Sequence, residues 1–183
     1  MKKIAFVTTL VFLVLNSATI SAQEKKNKYE VGLGFDYYLD MEEDVSVSPP
    51  CGLATFFEWR RTNGRHWDYG VRADTKFALA TWYHFKGSVT YLGLLAVTDF
   101  NMLPGKKVNP YIGIAAGPAL GLFNVGYSTA YFVVSACPRV GVELFNHLRV
   151  SIEADISITS LVGHQMESGG LYSPCCLNIG WTF

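Results

Sequence analysis

Two sets of side chains in this chain have the types and spacing of a hydrolytic centre: His84 with Ser88, and His164 with Ser160 and Glu167. An imidazole four residues from a hydroxyl could take its proton, and a nearby carboxylate could hold the ring, which is the chemistry of acyl transfer. The closely spaced acids Glu153 and Asp155 offer a second chemistry, a pair able to divide into acid and base. The run "MEEDVSVSPP", Met41 to Pro50, could gather cations or a partner, although a solvated loop is the plainer reading. Cys51, Cys137, Cys175 and Cys176 lack metal-ligand spacing, because the adjacent Cys175 and Cys176 point to opposite faces of a strand. One disulfide or four free thiols suit that spacing equally. None of these sets is a complete motif, and loop histidines are mostly inert. We expect no catalytic residue, no cofactor and no metal site.

What such groups can do depends on the elements that carry them. Lys2 and Lys3 precede an apolar run from Ile4 to Leu15, and Asn16 to Ala22 is small and polar. This is the layout of a secretory signal peptide, too short to be a membrane span, so residues 1–22 are expected to be removed. Gln23 and not a cysteine stands directly after Ala22, which argues against a lipid anchor. The remaining residues, 23–183, carry two fewer lysines and a net charge of −2. Without a basic surplus to neutralise phosphates, nucleic acid is not an expected partner. No later stretch approaches eighteen consecutive apolar residues, so a helical membrane protein is excluded.

From Lys28 onward the sequence alternates with period two and shows almost no helical periodicity. Eight strands are expected: Lys28–Tyr38, Gly52–Arg60, Trp67–Phe77, Val89–Met102, Pro110–Phe123, Phe132–Phe145, Leu148–Thr159 and Leu171–Phe183. Links after the second, fourth and sixth strands are short ("RTNGRH", "LPGKKVN", "NH"). Links after the first, third, fifth and seventh are longer ("LDMEEDVSVSPP", "ALATWYHFKGS", "NVGYSTAY", "SLVGHQMESGG"). Strict alternation of short and long links is the pattern of an up-and-down meander with tight turns on one side and loops on the other.

Charges share one face of each strand. Asp68, Arg72, Asp74 and Lys76 oppose Trp67, Tyr69, Val71 and Phe77, and Arg149, Glu153 and Asp155 oppose Leu148, Val150, Ile152 and Ile156. Glu30 with Asp36, Glu58 with Arg60, and Arg139 with Glu143 follow the same rule, and Asp99 joins them. A soluble, lipocalin-like barrel would turn the apolar face inward around a ligand; a membrane barrel turns it outward to lipid.

Three features favour lipid outside. Aromatics gather at strand ends, with Tyr29, Trp59, Trp67, Phe100, Tyr111, Phe145, Trp181 and Phe183 on the short-turn side. Tyr37, Tyr38, Phe77, Phe123, Phe132 and Tyr172 lie on the loop side. Two aromatic girdles are what two membrane–water interfaces select. The charged face is otherwise rich in Gly, Ala and Ser, which suits a narrow lumen. The close "LNIGWTF" places Leu177, Ile179, Trp181 and Phe183 on one face, resembling the C-terminal signal read by the outer-membrane assembly machinery. That strand is expected to pair with the first and close the barrel. The fold class expected is all-β, an eight-stranded antiparallel up-and-down transmembrane β-barrel.

The segment Val89 to Phe123, and within it "NPYIGIAAGPALG", resembles the fourth and fifth strands of small bacterial outer-membrane barrels. These are the OmpX/OmpA-like and PorT-like groups of Bacteroidetes type; the "IP" usual in their fourth strand is absent here, where "GLLAV" stands. The resemblance implies fold and outer-membrane location but no shared activity. An eight-stranded lumen is filled by its own side chains, so the inward charges are expected to form a salt-bridged plug. The expected role is structural or adhesive through extracellular loops. Expected partners are outer-membrane lipid and lipopolysaccharide, the barrel assembly machinery through the last strand, and a surface or secretion-machinery protein, with the barrel a monomer. The alternatives are an accessory of secretion or assembly machinery, as the PorT-like resemblance allows, a lipid A-modifying enzyme using His84 or His164, or a soluble ligand-binding barrel. On the short-turn side, Arg61, Arg65, Lys106 and Lys107 with Lys25, Lys26 and Lys28 are expected to face anionic headgroups.

Overall fold

The structure, a computed structural model, describes residues 27–39, 45–82, 85–159 and 172–183. The expected signal segment, the acids of 40–44, His84, and the set Ser160, His164 and Glu167 lie outside the described residues. Eight strands form one sheet: β1 Asn27–Leu39, β2 Val45–Asn63, β3 Trp67–Trp82, β4 Phe85–Asn101, β5 Val108–Val125, β6 Tyr127–Leu144, β7 Leu148–Thr159 and β8 Tyr172–Thr182. Each pairs antiparallel with its sequence neighbour, and β8 pairs with β1, so the sheet closes into a barrel. The seam is completed by reciprocal bonds between Tyr29 and Phe183, Tyr29 N–H to Phe183 O at 3.3 Å and Phe183 N–H to Tyr29 O at 2.7 Å. Closure matters physically because it leaves no edge strand with unpaired backbone groups in an apolar medium.

The eight strands and their order are those the alternation predicts, but the links differ. The stretch "ALATWYHFKGS" is mostly strand: β3 and β4 stay paired from Ala78↔Val89 to Trp82↔Phe85, leaving residues 83–84 as the connection. "NVGYSTAY" likewise continues the β5–β6 ladder to Val125↔Tyr127, and Gly126 alone turns the chain with φ 73°. Strict alternation of short and long links therefore fails at these two hairpins. The expectation placed loops wherever the hydrophobic alternation weakened, whereas backbone pairing persists without it. β2 also starts earlier than expected, and its register shifts between Val47 and Gly52, where Pro49 and Pro50 cannot donate to the ladder. A membrane-spanning strand needs about 9–11 residues. The 16 to 19 residues of β2 to β6 therefore reach past that span.

The layout repeats itself. β5 begins 81 residues after β1, β6 ends 81 after β2, β7 begins 81 after β3, and β8 ends 81 after β4. The barrel is thus two four-stranded units whose turn-side ends coincide at a constant offset.

Candidate functional site: a charged lumen inside an apolar belt

Along every strand, burial alternates with position. All fourteen charged residues expected to point inward do so, and none is more than 8% exposed. The Glu30, Asp36, Glu58, Asp68, Asp74, Asp99, Glu143, Glu153 and Asp155 carboxylates face Arg60, Arg72, Lys76, Arg139 and Arg149. With acids in excess, each arginine is shared. On the turn side Arg60 meets Glu30 at 2.5 Å and Glu58 at 2.8 Å, while Arg149 meets Asp99 at 2.9 Å and Glu30 at 3.2 Å. Arg139 holds Glu58 at 2.7 Å and Asp99 at 2.8 Å. Midway, Arg72 Nη1 donates to both oxygens of Glu153 at 2.9 Å, with its guanidinium 4.2 Å from the Phe56 ring centre. Nearer the loop side Lys76 reaches Asp155 at 2.6 Å and Asp36 at 3.6 Å.

Above the charges the inner wall turns apolar. Ala80, Val89, Tyr91, Ala119 and Val133 form a buried cluster, with Phe123 and Tyr131 packed against it. Tyr131 donates its hydroxyl to that of Tyr91 at 3.2 Å. A cavity of about 10 Å³, room for one water, lies beside Asp74, Lys76, Ser135, Cys137 and Asp155. Small residues make room for the large ones: a Cβ on Gly93 would fall on the Asp74 carboxylate, and one on Gly180 on that of Glu30. The lumen is a packed ionic core.

The outer face is its inverse. Leu33, Phe35, Leu53, Leu94, Ile112 and Val140 are each more than half exposed, and every described Asp and Glu is inside. Water would not tolerate so continuous an apolar surface on a monomer. Tyr29, Trp67, Phe145, Trp181 and Phe183 are exposed at the turn end, and Tyr37, Phe77 and Phe132 at the loop end. Trp59, Phe100 and Phe123 are half-buried, Phe123 on the inner side, and the side chains of Tyr38 and Tyr172 are outside the described residues. Tyr111 is a correction: it is buried, its ring 3.6 Å from the Arg149 guanidinium. Its position in β5 shares the parity of the lumen residues, which outweighs its place at a strand end. Lys28 is another, since it turns inward to Asp68 at 3.1 Å and Glu143 at 3.6 Å rather than outward to headgroups.

The residues singled out for chemistry are not assembled into a described catalytic set. Ser88 is half-buried on β4, and its expected partner His84 is outside the described residues, as is the whole of the other set. Glu153 and Asp155 are each committed to a different cation. No disulfide joins the four cysteines; Cys137 and Cys176 face inward, the Cys176 sulfur 3.8 Å from the Lys76 ammonium, and Cys51 and Cys175 face outward. Cys51 and Cys175 flank Tyr37 on opposite neighbouring strands, about 9–10 Å apart at two strand spacings, beyond disulfide reach.

Two histidines of the short turns, to which sequence reading gives a place but no role, lock the turn end. His66 Nδ1 donates to the Asn101 carbonyl at 2.7 Å and stacks on Phe100 at 5.4 Å; His147 Nδ1 donates to the Thr182 carbonyl at 3.0 Å and stacks on Trp181 at 5.5 Å. Because the acceptors are carbonyls, each Nδ1 must carry the proton. The equal spacing from each histidine to its partner is the signal that could have found them.

A closed, eight-stranded antiparallel barrel with ionic core and apolar belt is a transmembrane β-barrel. No protein-family model matches the chain, and no curated protein matches it. Among solved structures it is similar to Ail, the attachment invasion locus protein of Yersinia pestis, at 13% identity and a TM-score of 0.47, covering 86% of this chain and 99% of that one. Neisserial surface protein A matches at 7% identity and 0.47, covering 87% and 97%. The N-terminal β-barrel domain of Pseudomonas aeruginosa OprF matches at 10% and 0.46, covering 87% and 100%. At such values none of the three lends this chain a function.

Proposed function

We propose that the protein is an outer-membrane barrel with a structural or surface-interaction role, exercised through its loop-side links, and that it is not an enzyme. The filled lumen supports this reading: fourteen buried charges and an apolar plug occupy the space a channel or an internal ligand would need. What remains to meet molecules outside the bilayer is the loop end. Residues 1–22 direct export, outer-membrane lipid and lipopolysaccharide surround the belt, and the outward Leu177, Ile179, Trp181 and Phe183 of the last strand are what the assembly machinery engages.

The test starts with membrane fractionation and a gel of unheated against boiled protein. Outer-membrane recovery with a heat-shifted band is expected; a soluble protein without a shift would reverse the face assignment. Replacing 40–44 and 161–170 by short Gly-Ser links should then abolish binding to lipopolysaccharide or cell surfaces while keeping the heat shift. A stable co-purifying partner, with a secretion defect on deletion, would instead make the protein an accessory of secretion or assembly machinery, which the PorT-like resemblance motivates. A changed lipid A mass that His84→Ala or His164→Ala abolishes would make it an enzyme.

A further inference from the structure

With every described Asp and Glu sealed in the lumen, the charged side chains left outside among the described residues are all cationic: Arg61, Arg65, Lys86, Lys106 and Lys107. Four of the five are at the turn end. Arg65 lies in the β2–β3 link and Lys106 and Lys107 in the β4–β5 link, while Arg61 is on the outward parity of β2 one turn away.

These links are not separate. Asn101 N–H donates to the His66 carbonyl at 2.7 Å, and Phe145 N–H donates to the Lys107 carbonyl at 2.7 Å. The three turn-side links are thereby laced into one floor. On it, Met102, Leu103 and Phe145 are exposed beside the cations, Phe145 at 65%. Apolar side chains able to enter the acyl boundary, set next to lysine and arginine, match the chemistry of an interfacial surface facing anionic lipid.

We propose that this floor is a docking face for anionic phospholipid headgroups, the phosphates of the facing leaflet seating on Arg61, Arg65, Lys106 and Lys107. The proposal rests on the reading of the barrel as membrane-embedded. It makes the barrel polar with respect to its bilayer: the turn end concentrates acidic phospholipid, and Lys86 at the other end does not.

The natural reporters are in place, because Trp59, Trp67 and Trp181 sit near the turn end and only Trp82 is at the loop end. The chain would be refolded into phosphatidylcholine vesicles containing either brominated phosphatidylglycerol or brominated phosphatidylcholine at equal mole fraction, and tryptophan quenching compared. Stronger quenching by the brominated phosphatidylglycerol is expected, declining with added salt. The difference should disappear in R61Q/R65Q/K106Q/K107Q and persist in K86Q. Equal quenching by both lipids in the unaltered chain, or a difference that survives the fourfold change, would overturn the proposal. Should that variant fail to give a heat-shifted band, R61Q/R65Q and K106Q/K107Q made separately must each reduce the difference. A chain quenched by neither lipid has not inserted, and that result removes the membrane reading itself.

Discussion

Glu58 and Arg139, 81 residues apart, meet in a bidentate ion pair, with Nη1 2.7 Å from Oε2 and Nη2 2.9 Å from Oε1. The same separation links Arg72 to Glu153. In each case the partners occupy equivalent positions of the two four-stranded units, which share an offset of 81 at their turn-side ends. The backbone thus repeats while the charge inverts. A strictly repeated sequence would set like charges against each other across the lumen, at a cost no packing could offset in so narrow a space. Opposite charges at equivalent positions let the two units recognise each other and set their relative register.

The Arg72–Glu153 pair gives the cleanest measure of that complementarity. Arg72→Met leaves the Glu153 carboxylate without its two 2.9 Å bonds in a buried site. It should cost about 3–5 kcal/mol, and Glu153→Met a comparable amount. The double variant should cost less than the sum, since removing both partners strands neither of the two and loses besides only the 3.8 Å contact of Arg72 with Asp74. Urea titration of the refolded barrel in detergent checks this; strictly additive losses would show that the two groups act independently.

Two glycines should respond in opposite ways. A Cβ on Gly70 would be driven into the backbone carbonyl of Trp59, on the strand it pairs with. Backbone cannot rotate aside as a side chain can, so Gly70→Ala should separate β2 from β3 locally and lower the unfolding free energy by about 2 kcal/mol or more. Gly64, with φ 70° and open space around it, needs only a residue that accepts the left-handed region. Gly64→Asn should be close to neutral, about 1 kcal/mol at most. Heat-modifiable mobility and urea midpoints distinguish the two.

His147→Ala should weaken the β6–β7 link where it is tied to β8. The loss comprises one hydrogen bond to the Thr182 carbonyl and the stack on Trp181, together about 1–2 kcal/mol. Urea titration of the refolded variant beside its parent checks this. A variant as stable as its parent would show that the contact with β8 contributes nothing.

The parity of the strands was legible because lumen and lipid make incompatible demands. Every charge on the strands named from sequence, from Glu30 to Asp155, lies on the side its period-two position predicts. Tyr111 was misread because its strand-end position suggested a girdle, although its parity matched Arg139 and Glu143 across the same lumen. The extra length of β3 to β6 was missed for a different reason. Ladder bonds use the backbone, so Ala78 to Trp82 and Ser128 to Tyr131 stay paired with no hydrophobic alternation to announce it. Which arginine meets which acid was likewise beyond pattern reading. With nine carboxylates sharing six inward cations, Lys28 included, the choice is made by barrel register, not by spacing along one strand.

Adjacent residues on β4 decide which medium surrounds the barrel. Leu94 is 57% exposed and Leu95 only 2%, so one arginine scan of two positions addresses both faces. In a bilayer, Leu94→Arg places an unpaired guanidinium in hydrocarbon and should cost about 2–4 kcal/mol near the midplane. Were the exterior water, the same change would be neutral or would improve solubility, since an exposed leucine exchanged for a charge loses no packing. Leu95→Arg should fail in either medium, because it overfills the wall shared with Val97, Ala115 and Cys137. Refolding yield into phosphatidylcholine vesicles, followed by the heat-shifted band, separates the cases. A Leu94→Arg barrel that folds as well as its parent would mean that the belt does not face lipid.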